Sequence, residues 1–112
     1  NLRESKQQSI NHAEIIAIQK ACKKIGSWRL EDCDLYVTLE PCCMCAGAIL
    51  QSRIRTVIYG ASDPKGGSID STIHMYEQPG FNHYPCVYSG VLQEECSQLL
   101  KDFFKEKRLK NK

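Results

Sequence analysis

His12 and Glu14, followed downstream by Cys42 and Cys45, constrain this chain more than any other feature. The two pieces read His-x-Glu and Pro-Cys-x-x-Cys. Neither says much alone, because His-x-Glu is common and Cys-x-x-Cys at a helix start also serves redox chemistry or half of a structural zinc site. Together they offer one imidazole and two thiols as metal ligands, with a carboxylate that is not a ligand. Three protein ligands leave a tetrahedral zinc ion with an open fourth position, as catalytic sites have and closed structural sites lack. A structural reading requires a fourth protein ligand. His74, His83 and Cys86 are the available side chains, and none has a convincing spacing partner.

The hydrophobic pattern places these residues on helix starts. Residues 1–11 are polar and read as a loop. From His12, Ile15, Ile18, Cys22 and Ile25 recur at spacings of three and four, which predicts one apolar helical stripe. Lys20, Lys23 and Lys24 occupy its last turns, and Gly26 supplies the stop. Over residues 33–39, Leu35, Val37 and Leu39 alternate as a strand would. Pro41 is expected to open a second helix running to about Ser52, closely packed through Ala46, Gly47 and Ala48. Residues 56–60 read as a short buried strand, and residues 63–67 as a turn-rich loop. A short helix over 69–77 and a strand over 86–88 follow. Leu92, Cys96, Leu99, Leu100, Phe103 and Phe104 then mark a long amphipathic final helix. Strands alternating with helices predict an α/β domain with a largely parallel sheet. Three strands are few for such a sheet, so further elements are expected ahead of the loop-like opening at Asn1.

Length and composition agree with one domain spanning residues 1–112. Hydrophobic residues make up 42% and charged residues 25%, ordinary values for a globular chain. The polar opening carries no signal-peptide pattern, and the apolar run over residues 42–50 is too short to span a bilayer. A cytoplasmic location and no membrane partner are therefore expected. The seven cysteines do not suit a paired disulfide framework. In a reducing compartment they are metal ligands or small buried apolar groups. Cys22, Cys33 and Cys96 fall within apolar patterns and read as packing, while Cys43 and Cys86 stay unassigned. The net charge of +2 names no partner. Lys101, Lys105, Lys107, Arg108, Lys110 and Lys112 crowd the last helix, either to attract phosphates or simply to complement a solvated helix end.

The pattern also implies a chemistry. Cys42 and Cys45 at i and i+3 share one helix face, and the helix end favours thiolate over thiol. Two thiolates and a neutral His12 would hold zinc and leave a water whose pKa falls toward about 7. Glu14 can reach the same cavity from the first turn, take that water's proton and pass it to a leaving nitrogen. Hydrolytic replacement of an amino group requires such a shuttle, because ammonia leaves poorly until protonated.

At these residues the chain resembles the bacterial tRNA-specific adenosine deaminases of the cytidine-deaminase-like superfamily. The segments that carry the resemblance are His12-Ala13-Glu14-Ile15, Gly26-Ser27-Trp28-Arg29-Leu30, the stretch from Leu35 to Cys42, Met44-Cys45-Ala46-Gly47-Ala48-Ile49, Ser52-Arg53-Ile54, Val57-Ile58-Tyr59-Gly60-Ala61 and Asp63-Pro64-Lys65. Asn82-His83 and Phe103-Phe104 also fit. The zinc motif is shared across the superfamily, and the surrounding stretch is more specific to the tRNA branch. The resemblance implies a three-layer sheet with helices on both faces. It also implies a homodimer that converts adenosine to inosine at the wobble position of a tRNA anticodon, with the base splayed into the zinc pocket. His12, Cys42 and Cys45 match the zinc ligands, and Glu14 matches the proton shuttle. Asn1 matches a nucleoside contact. Asp63, Lys65, Asn82 and Phe104 match positions near the anticodon loop, and Arg108 a basic helix end facing RNA. The family begins with a helix and a β-hairpin that supply two strands and one pocket wall, so the chain is expected to be truncated at the front. Asp70, Cys43 and His74 stand where the family usually differs. Two other readings remain: a deaminase of free guanine or cytosine, and a catalytically inactive zinc-binding domain.

Overall fold

His12 caps the first helix, its backbone still extended (φ −75°, ψ 152°), and the chain turns helical from Ala13. The computed structural model describes residues 12–110. Within them, α1 spans Ala13–Ile25, β1 Asp34–Leu39, α2 Cys43–Gln51, β2 Thr56–Ala61, β3 Cys86–Tyr88 and α3 Gln93–Lys110. Gly26 ends α1 in the left-handed region (φ 76°), and its N–H donates to the Cys22 carbonyl at 2.8 Å. Glycine takes that conformation without a Cβ penalty. The face that α1 turns inward is Ile18, Ala21 and Cys22. The expected stripe stops short of Ile25, which is 55% exposed. Ile25, in the last turn before Gly26, is not among the residues that pack against the buried cluster.

The sheet is parallel, in the order β1-β2-β3. Its register pairs Leu35 with Val57, Val37 with Tyr59, and Val57 with Val87. Side chains alternate between faces along each strand, so these odd-numbered residues share one side. There they join Ala46 and Ile49 of α2, with Leu30, Ile54 and Ile69, in one buried cluster. The other side receives α3, whose Cys96 lies directly over Gly60 of β2. A Cβ on Gly60 would fall 2.3 Å from the Cys96 sulfur, so only glycine permits this approach. Helices therefore cover both faces, as expected. Cys22 and Cys33 pack against the buried cluster and Cys96 against the sheet, in line with their apolar patterns.

Two local expectations change. Pro41 precedes the N-cap of α2 rather than opening the helix, because Cys42 (φ −74°, ψ 176°) is still extended. The helix expected over 69–77 shrinks to a 3-10 turn at Met75–Glu77. The Thr72 amide reaches back five residues to the Gly67 carbonyl at 2.8 Å and the Met75 amide seven residues to the Ser68 carbonyl at 3.0 Å, so the segment closes as a loop and does not run as a helix. No helix among the described residues is long and apolar enough to cross a membrane.

Candidate active site

Two helix N-termini meet at one point. His12 is the N-cap of α1 and Cys42 the N-cap of α2, and neither side chain makes a capping hydrogen bond. Both are thus free for a ligand, at helix ends whose unpaired amides favour negative charge. Cys45 follows one turn into α2 and is fully buried. His12 Nδ1 lies 3.6 Å from Cys42 Sγ and 3.5 Å from Cys45 Sγ. The three donor atoms all fall within 4.8 Å of one another. A tetrahedral zinc with bonds of about 2.3 Å to sulfur and about 2.05 Å to nitrogen separates those donors by roughly 3.6 Å. The donor set therefore fits such an ion, in spacing and in chemical type.

Among the described residues no fourth donor joins this group. His83 Nε2 bonds the Ile54 carbonyl at 2.7 Å, and His74 pairs with Glu77 at 3.4 Å. Cys86 is exposed at the start of β3. Cys43, next to the ligand candidates, is exposed and outside the cluster. Glu14 is also outside it, yet lines the same pocket. Burial pushes the Cys45 thiol well above its usual range, and the neighbouring Glu14 and Cys42 push it further. A divalent cation would act in the opposite direction, stabilising the thiolate. Behind the site, the Tyr76 hydroxyl donates to the Ala46 carbonyl at 2.9 Å. Burial raises this phenol above its ordinary value, and Cys45 adds to the effect.

The pocket in front of the donors has a volume of about 640 Å³, within the range of small-molecule sites. His12, Glu14 and Cys42 form one wall, and the end of β1 with Asp63 forms another. It opens at the carboxyl ends of β1 and β2, where open parallel sheets bind ligands. Asp63 Oδ1 accepts from the amides of Lys65 and Gly66, each at 3.1 Å, so this loop is a tight turn closed on its own first residue. Lys65 is exposed on that turn. Asn82 is not near this pocket. It lines a separate recess with Leu50, Gln51 and Arg53, at the opposite end of α2 from Cys42. Phe104 and Arg108 fall on α3, and their side chains lie outside the described set, as does Asn1 entirely.

Sequence reasoning passed over Glu40 except as part of a matching string. Its side chain is 2% exposed beside Pro41 and Cys42. Burial pushes its carboxyl up, but the Ser71 hydroxyl and the amides of Asp70, Asp63 and Ile69 outweigh that and leave it below the ordinary value. An acidic residue before Pro-Cys was the only signal, and it says nothing of its distant partners. Asp70 accepts a hydrogen bond from the Tyr59 hydroxyl.

Comparisons with known proteins give the chain its family. The MafB19-like deaminase family model matches residues 1–108. The tRNA-specific adenosine deaminase of Bacillus subtilis (strain 168) is 54% identical over 112 residues, which is 100% of this chain and 70% of that protein. That of Agrobacterium fabrum is 53% identical over 98 residues, covering 88% of this chain and 64% of the relative. The chain thus spans about two thirds of the length of these relatives. A solved structure from a study of A-to-I editing by tRNA:A34 deaminases at the wobble position superposes with a TM-score of 0.84 at 47% identity. It covers 88% of this chain and 71% of its own. A guanine deaminase from Nitrosomonas europaea superposes at 0.72 with 23% identity, covering 92% of this chain and 62% of its own, a likeness of fold alone. By sequence and by fold, this chain belongs to the family of the tRNA-specific adenosine deaminases.

Proposed function

We propose that residues 1–112 form a single zinc-dependent deaminase domain that hydrolyses adenosine to inosine at the wobble position of a tRNA anticodon. The observation that carries the chemistry is the position of His12 Nδ1, 3.6 Å and 3.5 Å from two cysteine sulfurs. Glu14 stands in the same pocket but outside the donor group. What supports the substrate is the name shared by relatives at 53–54% identity.

In this reading His12, Cys42 and Cys45 hold the ion. When bound, zinc supplies Lewis acidity toward a water at its open position. The Glu14 carboxylate takes a proton on one side of the pocket and returns it to the departing amino nitrogen, so it serves as base and then as acid. Asp63 and Lys65 present their loop to RNA at the pocket mouth. Asn1, Asn82, Phe104 and Arg108 complete the RNA contacts that the family resemblance implies. We place the enzyme in the cytoplasm as a homodimer.

Zinc-loaded protein is incubated with an anticodon stem-loop RNA and, separately, with free adenosine, guanine and cytidine. Inosine appearing only in the RNA is the expected result. Turnover of a free compound alone would reject the RNA substrate.

A further inference from the structure

Glu40 carries five hydrogen bonds on one buried carboxylate, none of which the proposed chemistry uses. Oε1 accepts from the Asp63 amide at 3.1 Å and from the Ser71 hydroxyl. Oε2 accepts from three successive amides, Ile69 at 3.1 Å, Asp70 at 2.8 Å and Ser71 at 3.1 Å. Every partner lies on the loop that follows β2, whereas Glu40 itself joins β1 to Cys42. Backbone contacts reinforce the junction. The Glu40 amide donates to the Ala61 carbonyl at 2.8 Å, and the Ser68 amide to the Pro41 carbonyl at 2.9 Å. Gly67 leaves no room for a side chain against the carboxylate.

We propose that Glu40 is a positioning residue for the RNA substrate, clamping the 63–71 loop to the β1–α2 junction so that Asp63 stands at a fixed place relative to Cys42. The inference rests on the deaminase reading for its substrate and on geometry for its clamp. A carboxylate suits the role because it only accepts, and every one of its five partners donates. Glutamine would turn an N–H toward at least one amide, which leaves donors facing each other.

The test compares Glu40→Gln with wild type, both zinc-loaded. Zinc content is expected to be unchanged. Hydrogen exchange of the amides of Asp63, Ile69, Asp70 and Ser71 should rise by about tenfold or more, because bonds to a charged acceptor are lost. The KM for the stem-loop RNA should rise by about tenfold while kcat stays within about threefold. Adding Asp63→Ala to Glu40→Gln should then raise KM by less than about twofold, since the two act as one unit. Unchanged amide protection, a fall in kcat at constant KM, or effects that multiply would overturn the proposal. If Glu40→Gln does not fold, Glu40→Asp is measured in the same way. It keeps two acceptor oxygens but is one methylene shorter, which draws them back by about 1.5 Å, so exchange at the same four amides should rise by about threefold or more, and wild-type exchange there overturns the clamp. If wild type turns over no RNA, the substrate reading fails, and the four amides still decide whether the clamp exists.

Discussion

Replacing Gly67 with alanine should destabilise the chain far more than the same change one residue earlier. A Cβ at Gly67 would sit 2.3 Å from Glu40 Cδ, 2.4 Å from Oε1 and 2.7 Å from the Asp63 carbonyl. Ordinary contacts begin near 3.5 Å, so something must move by roughly 1 Å. The Glu40 carboxylate cannot swing aside freely, because five donors hold it. A shift of about 1 Å carries bonds now near 3 Å beyond useful hydrogen-bond length. Losing two of them, at about 1.5–3 kcal/mol each for a charged acceptor, costs about 3–6 kcal/mol. That is a large share of a typical total of about 5–15 kcal/mol. For a chain of 112 residues the unfolding entropy is about 0.24 kcal/mol/K, so the melting temperature should fall by about 13–25 °C. At Gly66 the nearest atom is the free end of the Asp63 side chain at 3.2 Å, which can yield. The lower freedom of the unfolded chain offsets part of that small cost, leaving less than about 1 kcal/mol. Thermal and urea unfolding of both variants at equal zinc load, followed by circular dichroism, makes the comparison. Melting temperatures within about 3 °C of each other would refute the reasoning.

Other substitutions separate the roles of the site. Glu14→Gln should keep zinc, measured by metal analysis, and lose about 10²–10⁴-fold in turnover of stem-loop RNA. Cys45→Ala should bind zinc weakly and melt at the temperature of chelator-treated wild type, because the ion's binding energy is folding energy. Tyr59→Phe removes the bond to Asp70 without opening a cavity. Since Asp70 is exposed and regains water, denaturant titration should read a loss of only about 1–2 kcal/mol. Gly60→Ala should cost about 1–3 kcal/mol by forcing Cys96 off the sheet, with zinc content unchanged because α3 packs on the face away from α1 and α2.

The parts of the fold that the sequence reveals are those written in local patterns. Strand alternation at Leu35 and Val37, the stop at Gly26 and the helix-start spacing of Cys42 and Cys45 each depend on neighbours a few residues away. The group of His12, Cys42 and Cys45 that could hold a metal is legible for the same reason, since residue type and spacing state its chemistry. The segment over 69–77 forms only a 3-10 turn because the Thr72 and Met75 amides return to Gly67 and Ser68, in a loop wrapped on the Glu40 carboxylate some 30 residues earlier. Hydrophobic spacing does not record such a closure. Proline suits the first turn of a helix, but here Cys42 holds an extended backbone that starts the helix after Pro41. Ile25 fits its periodic stripe and is nevertheless exposed, since periodicity does not record what packs against a stripe. Asn82, expected near the anticodon loop, lies at the far end of α2 from Cys42, a separation that residue-by-residue matching does not register.

X-ray absorption at the zinc edge of the loaded protein addresses the metal centre most directly. Two sulfur neighbours at about 2.3 Å and two nitrogen or oxygen neighbours near 2.0 Å are expected, one of the light pair exchanging with added anions. Three or more sulfurs, or four protein ligands with nothing exchangeable, would contradict a hydrolytic site built from His12, Cys42 and Cys45.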